Sequence, residues 1–576
     1  MIPRPGRTIS DPARNKRMRQ KIPSFITKTE QLAPAPFWLT MIALVSLAFA
    51  LRLNSMLNHD TSWYLHATAR VLHGARLYVD IIEVNPPLAF LLTMPPVASA
   101  QALSLDASLA FKIYIFLLGA FSLGVSGRLV RLFPTMSASR ARGFLLISAL
   151  VFFILPAGDF GQREHMAIMF VWPYIILAAL RMEGRGCGAP MAVLAGAMAF
   201  FGFGLKPHFL LVPLALEAHR LVRLRRFGQI PRPETIVLAI MLLAYLAGIF
   251  LLTPEYPGKI LPMALAVYNL GYRSSLFAVL LSGAGVPFLL AGLWWSFPAD
   301  VKAEEDSLSS AFMSAGAAFF LIFLIQRKGW SYHLLPVLSC LYAAMTLRIA
   351  SMMAKTGTAR RWVKGGNHVW LAALLVAIII PAKAIRNHAY HNDAISILRE
   401  AHVLDKPVSS YYIFTTQVSA GFPLINVYHM KWPSRFPTQW LLPGVVIARH
   451  QMRHDPASHD KATIDAIEAY AKDAVITDLL RHPPDLIAVD RRNPPPYMGK
   501  VKFAFLPYYL RDPRFAKFWQ GYKKAEKVHV LQLYRRKQRI SAAQGPGQGQ
   551  GLLPPFPRSS WNEGARVAFS HPRRGR

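Results

Sequence analysis

Asp60 follows the first apolar run of the chain and is itself followed by Trp63, Tyr64 and His66. A carboxylate in such an aromatic setting loses water, and desolvation raises its pKa and improves it as a base. Glu83 stands just ahead of Asn85-Pro86-Pro87, where two prolines fix the backbone. A second cluster, Gly158-Asp159-Phe160-Gly161-Gln162-Arg163-Glu164-His165, packs two acids, an arginine and a histidine between two apolar runs. His165 with Asp159 or Glu164 offers imidazole and hard oxygen ligands, which leaves a divalent metal ion open without a strict ligand spacing. Cations close two further loops. Lys206 precedes Pro207 and His208, and Lys328 shares a loop with Arg327, Trp330, Tyr332 and His333. Lysine can hold a phosphate as a point charge. Each group also has a plainer reading: a boundary-loop acid at Asp60 or Glu83, a helix cap at Asp159, a snorkelling lysine at Lys206. Acids and cations together suit a substrate with an anionic leaving group.

These loops need elements to hold them. Hydrophobic residues make up 53% of 576 and charged residues only 16%, against about a quarter charged in ordinary soluble domains. The apolar residues come in long runs, so the sequence predicts a polytopic α-helical membrane protein. Eleven spans are expected, at 37–53, 108–130, 143–157, 166–180, 189–205, 208–219, 234–252, 276–297, 309–325, 334–347 and 368–383. The apolar stretch 88–103, broken by Pro95-Pro96, reads as a re-entrant or interfacial segment. A formal net charge of +35 could suggest nucleic acid. Much of that charge lies in alternate short loops, as membrane orientation requires, so no nucleic acid is expected. The leader, 128–142, 181–185, 220–232 and 348–364 should face the cytoplasm; 299–308, with four acids against Lys302, dissents weakly. The loops 54–106, 158–165, 206–208, 253–275 and 326–333 then face out, and they carry the chemistry. Trp294 and Trp295 read as interface anchors at the other surface. Cys187 and Cys340 support no disulfide framework.

The first apolar run, behind a basic leader, reads as a signal anchor, with 1–35 a disordered cytoplasmic tail. Residues 36–383 form the membrane module, with 54–106 as its first outer loop. Residues 384–540 change period: SSYYIF and PDLIAVD read as strands, DKATIDAIEAYAKDAV and DPRFAKFWQGYKKA as helices, and VHVLQLYRR as a closing strand. That is a small α/β domain, placed outside the cytoplasm by the odd number of spans. Residues 541–576 read as a disordered basic tail.

The chain resembles the GT-C class of membrane glycosyltransferases, in the broad group of the lipid A aminoarabinose transferase and the protein O-mannosyltransferases. The resemblance is carried by Asp60, Tyr64, Ala67, Gly74, Tyr78, Asp80, Glu83 and Pro86-Pro87, with GDFGQREH, LKPH and QRKGWSYHLLP in support. It implies a sugar donor on a polyprenyl phosphate, reaction at the outer face of the bacterial inner membrane, and Asp60 as the base. It implies an envelope glycan, glycolipid or protein acceptor. Glu83 matches the acid before the proline pair; Asn85 stands where some relatives have lysine, which shifts phosphate binding towards Lys206 or Lys328. The expected catalytic set is Asp60, Glu83, Asp159 and Glu164. The expected substrate-binding set is Tyr64, Arg163, His165, Lys206, His208, Lys328, Tyr332 and His333. A flippase for a lipid-linked glycan is the alternative; it would place ionisable groups near the midplane of the spans.

Overall fold

The computed structural model describes residues 35–134, 136–225, 231–296, 307–354, 369–405 and 407–537. The expectations for the leader, for Lys302 and its acids, for most of 348–364 and for the tail 541–576 lie outside these residues. The chain falls into two compact units, Met1–Ala43 and Leu44–Arg576. In the first, the described residues begin helix α1 (Ala35–Leu53), which runs on into the second.

Eight further helices follow: α2 (His59–Leu72), α3 (Leu88–Ala102), α4 (Ala107–Val130), α5 (Ala138–Phe153), α6 (Arg163–Met182), α7 (Ala189–Phe203), α8 (Leu211–Leu224) and α9 (Pro233–Leu252). After a bent segment come Ser307–Gln326, Leu335–Ala354 and Val369–Arg386. Among the described residues, six helices are long and apolar enough to cross a membrane, or seven if the bent pair is one span. Helices α5, α7 and α8 have 16, 15 and 14 residues, and at about 1.5 Å per residue each falls short of a 30 Å hydrocarbon core.

Helix α6 is apolar on every side after its first turn, and it is buried along almost its whole length, as such a helix must be. It packs against α4, α7, α8 and the helix Ser307–Gln326. Its approach to α7 is close because Gly202 has no side chain: a Cβ there would meet Val171 Cγ1 at 2.5 Å. This central helix carries Arg163, Glu164 and His165 in its first turn.

Four expectations change. The segment 253–275 is largely helical over Tyr256–Tyr272, with π turns, and meets Leu276–Gly283 at a bend of 66°. The expected span 276–297 is two helices, Leu276–Gly283 and Gly285–Trp295. Helix α3 continues through Pro95 and Pro96. Trp294 is no surface anchor, since its ring is buried and its Nε1–H donates to Ser309 Oγ at 2.9 Å.

Within 384–540 lies a four-stranded sheet in the order β1-β2-β4-β3, from strands β1 (Tyr411–Phe414), β2 (Leu486–Asp490), β3 (Tyr522–Val528) and β4 (Leu531–Arg536). β1 and β2 are parallel, with Tyr411 opposite Leu486, and buried on both faces, which matches their unbroken apolar runs. β4 pairs antiparallel with both β2 and β3. The helix expected over DPRFAKFWQGYKKA stops at Trp519, and Tyr522 opens the edge strand β3 instead. This region rests on the first loop. Ile82 N–H donates to Arg435 O at 2.8 Å and Arg70 Nη1 to Ser434 O at 3.1 Å. Asn426 Nδ2 donates to Ser62 O at 3.1 Å.

Candidate active site

The site begins at a helix cap. Asn58 caps α2, its Oδ1 accepting the Asp60 N–H at 3.0 Å, as an N-cap asparagine does. The same Oδ1 accepts Gln162 Nε2–H at 2.7 Å, and Asn58 Nδ2 donates to Asp159 Oδ1 at 3.0 Å. One buried amide thus ties the first loop to the GDFGQREH loop. That loop turns through a 3-10 turn at Ala157–Asp159 and through Gly161, at φ +80°, before α6 starts.

The turn delivers Arg163 to Asp60. Arg163 Nη2 lies 3.5 Å from Asp60 Oδ2, and Gln162 Nε2 lies 3.4 Å from the same oxygen. His59 Nε2 faces Asp60 Oδ1 at 3.6 Å. The guanidinium stands over the Tyr64 ring, 5.3 Å from its centroid. Its Nε and Nη1 are buried and have no acceptor among the described residues, and the buried Tyr64 hydroxyl has no partner there either. Unpaired donors of a buried cation are costly unless an acceptor comes to them.

Asp60, Tyr64, Glu83, Asp159 and Arg163 line one cavity of about 430 Å³. Tyr268, Tyr272, Trp330 and Tyr332 form one wall, and Tyr390, Trp440 and Tyr497 close it from the C-terminal region. Tyr268 stacks on Tyr272 with centroids 4.6 Å apart. The Lys328 ammonium sits over the Tyr268 ring at 4.1 Å and over Trp330 at 4.9 Å, with no ion pair among the described residues. Burial, then the charges of Lys206 and Arg163, pulls its pKa down to about 7.

The acids differ in setting. Burial pushes Asp60 upward, as expected from its aromatic neighbours. The charges of His59 and Arg163, the Gln162 hydrogen bond and Lys206 outweigh it and hold Asp60 below the ordinary carboxylate value. The expectation that desolvation would strengthen this base is therefore overturned for the free cavity. Asp159 goes the other way: burial, then the charge of Glu164, pushes it up to about 7. Glu83 is raised by burial, although it accepts from Trp63 Nε1 at 2.8 Å and Asn85 Nδ2 at 2.6 Å. Those bonds make Glu83 a post for the first loop as well as a wall of the cavity.

Glu164, Lys206, His208, Lys328 and His333 do not line the cavity. Lys206 Nζ donates to Glu164 and lies 3.2 Å from His333 Nε2, in a buried group behind Arg163. His208 projects from the next turn, and burial, then Lys206, lowers it to about 3, so it is neutral. His165 points away from the site: its Nδ1 accepts Gly161 N–H at 2.9 Å and its Nε2 donates to Phe152 O at 2.6 Å. Both nitrogens are spent on backbone, so His165 does not fit the metal ligand offered for it. Among the described residues no three His, Cys, Asp or Glu side chains are grouped to hold a metal ion.

No protein-family model and no curated protein matches the chain. Among solved structures it is similar to ArnT from Cupriavidus metallidurans bound to undecaprenyl phosphate, at 12% identity over 88% of this chain and 99% of that one, with a TM-score of 0.48. The apo form of that protein gives 13% identity, 86% and 97% coverage and a TM-score of 0.49. The Archaeoglobus fulgidus oligosaccharyltransferase in complex with Zn and sulfate gives 12%, 78%, 68% and 0.41. At TM-scores below 0.5 these likenesses assign no residue and no reaction to this chain.

Several residues of the site had no role in the sequence reading. Asn58 and Gln162 lie inside the stretches singled out there, and an asparagine just before a helix is a recognisable cap. Tyr268 and Tyr272 sit in a segment read as loop. Tyr390, Trp440 and Tyr497 come from beyond the last span, and nothing in their spacing points back to Asp60.

Proposed function

We propose that this chain is a GT-C-type membrane glycosyltransferase of the bacterial inner membrane. It moves a sugar from a polyprenyl phosphate to an envelope glycan, glycolipid or protein on the outer face. One observation carries the reading: a carboxylate, Asp60, and Arg163, a buried cation with two unpartnered donors, line the same cavity. In this reading residues 36–383 are the membrane module, 384–540 a periplasmic α/β domain, and 1–35 and 541–576 tails.

The reaction is a single displacement with inversion. The acceptor hydroxyl gives its proton to Asp60 as its oxygen bonds to the anomeric carbon. The bond from that carbon to the phosphate oxygen breaks, and the lipid phosphate leaves as an anion. Arg163 receives the charge, with Lys328, held over the wall rings Tyr268 and Trp330, as a second cation; fixed donors at developing charge are a main source of catalysis. Phosphate binding also draws on the guanidinium that faces Asp60. Once that charge is shared, Asp60 is a stronger base than in the free cavity, so donor binding prepares the proton transfer. Aromatic walls present apolar faces to the sugar rings and polar tips to their hydroxyls. Lys206 acts behind this set, fixing Glu164 in the first turn of α6. The flippase alternative has less support: between His165 and Arg181, α6 carries no ionisable side chain except Tyr174.

Asp60→Asn tests the proposal. Asparagine keeps the size and loses the proton-accepting charge. General-base catalysis is typically worth about 10²–10⁴-fold. Turnover of a polyprenyl-phosphate sugar by reconstituted protein should fall at least about a hundredfold, with donor binding near wild type. Glu83→Gln should cost less. Near-normal turnover in Asp60→Asn would move the base to Asp159, and lipid movement without transfer in either protein would favour the flippase.

A further inference from the structure

A second cavity, of about 400 Å³, opens in the C-terminal sheet region between the end of β2, strands β3 and β4, and the segment 503–507. That volume falls within the usual range for small-ligand sites, about 300–1,000 Å³. Its charge is strongly one-sided. Asp490 is buried and fully engaged: Arg492 Nε donates to its Oδ1 at 2.9 Å, and Thr415 Oγ1 donates to its Oδ2 at 3.1 Å. Arg491 and Lys524 have no ion pair among the described residues, and both reach this cavity. Lysine on an edge strand such as β3 ordinarily guards against strand pairing. Arg491 is not on that strand, and three aromatic residues, Phe503, Phe505 and Tyr534, line the same cavity, which edge protection does not require.

The cavity is joined to the candidate active site. Arg492 lines it, and Arg492 Nη2 donates to Gln417 Oε1 at 2.6 Å. Gln417 lines the first cavity. The chain from Asp490 to Asn493 borders the second cavity, and four residues later Tyr497 borders the first. Four residues span at most about 14 Å, so one extended ligand can reach both.

We propose that this cavity is a second subsite that binds an anionic saccharide, the distal part of the acceptor. As an acceptor subsite it rests on the glycosyltransferase reading; as an anionic-saccharide site it does not. Arg491 and Lys524 contact the carboxylate or phosphate, and the aromatic faces hold the adjoining ring. The Arg492–Gln417 contact fixes the spacing to the cavity that holds Asp60.

Binding can be measured without any transfer reaction, on full-length protein in lipid nanodiscs by calorimetry. The probes are a uronic-acid trisaccharide, a hexose 6-phosphate, and a neutral maltotriose as control. The wild type should bind at least one anionic probe and not the neutral one; which anionic probe binds separates carboxylate from phosphate chemistry. Arg491→Gln with Lys524→Gln should weaken that binding at least about tenfold, since charge-assisted hydrogen bonds are lost, while Asp60→Asn leaves it unchanged. Arg492 is left intact because Asp490 depends on it. Equal binding by the double variant, equal binding of maltotriose, or no binding of either anionic probe would overturn the subsite. So would loss, in the double variant, only of affinity for vesicles containing anionic phospholipid, which would make these cations membrane contacts. Saccharide binding that persists when Asp60→Asn shows normal turnover would keep the site and sink the proposed base instead.

Discussion

Asp159 and Lys328 titrate in the same range, and in opposite senses for the cavity. Asp159 is raised to about 7 by burial and then Glu164; Lys328 is lowered to about 7 by burial and then Lys206 and Arg163. As pH rises through that range the cavity gains a negative charge at Asp159, and the ammonium held over its wall rings Tyr268 and Trp330 loses a positive one. An anionic donor must then bind less well. Donor affinity should fall as pH goes from about 6 to 8, the window these two values define. Asp159→Asn should remove the acid's share of that fall, and Lys328→Gln the lysine's, at the cost of weaker binding below pH 7. A flat wild-type profile would mean that neither group senses the phosphate. Asn58 makes a separate prediction. Asn58→Ala loses a cap, worth about 0.5–2 kcal/mol, together with its bonds to Gln162 and Asp159. Asn58→Asp keeps the cap but cannot donate to Asp159. Melting temperature should recover in Asn58→Asp relative to Asn58→Ala, whereas turnover should stay low in both, roughly tenfold or more below wild type if placement of Asp60 is what matters. Full activity in Asn58→Asp would reduce Asn58 to a cap.

At the scale of elements, the start of α6 depends on Gly161. Its φ of +80° is strained for other residues, and a Cβ there would meet the buried Phe111 ring at 2.4 Å. Gly161→Ala should cost on the order of 1–3 kcal/mol, the usual cost of a strained backbone. It should also shift Arg163, so the melting temperature and donor affinity should fall together in thermal and binding assays; loss of stability with unchanged donor affinity would separate the turn from the site. The same scale shows what was legible in the sequence. Runs such as HMAIMFVWPYIILAAL announce a buried helix because no polar face interrupts them. The four loop clusters stood out because acids, cations and aromatic residues are rare beside such runs. The bent segment Tyr256–Gly283 was misread because its apolar residues are broken by Pro257, Gly258 and Pro262, which in a sequence look like loop punctuation but here accompany π turns. The division of labour among cations was not legible. Lys206 and Lys328 have similar settings in sequence, and only the fold sets one on Glu164 and leaves the other over two aromatic rings. Asp60 was found by its neighbours in sequence, but its basicity is set by Arg163, about a hundred residues away, which no local rule anticipates.

At the scale of the whole molecule, the alternation of loops makes a claim about sides, and the side-chain contacts within Leu44–Arg576 bear on it. Every loop expected to face outward contributes to one neighbourhood. Asn58 and Asp60 meet Asp159 and Arg163; Lys206 meets Glu164 and His333; Tyr268 stands under Lys328. Described residues in or beside the loops expected to face inward meet one another instead. Arg140 Nη2 donates to Ser351 Oγ at 2.7 Å, Arg181 Nε to Glu234 Oε1 at 2.8 Å, and Ser307 Oγ to Glu183 Oε1 at 2.6 Å. That last contact puts the end of the dissenting loop 299–308 with the inward set. After the helix Val369–Arg386, His388 O accepts from Arg52, and the Tyr390 hydroxyl lies 2.7 Å from His59 Nδ1. The chain therefore leaves the helix Val369–Arg386 beside the loop that carries Asp60. If the charge rule sets the sense, a periplasm-dependent reporter fused after residue 400 should be active, and one fused near Arg226 should be silent; a cytoplasm-dependent reporter should give the reverse. A cytoplasmic signal at residue 400 with an external one at Arg226 would invert the whole chain and place the candidate site inside the cell. Signals from both positions on the same side would break the parity itself, and with it the argument that these loops share one face of the membrane.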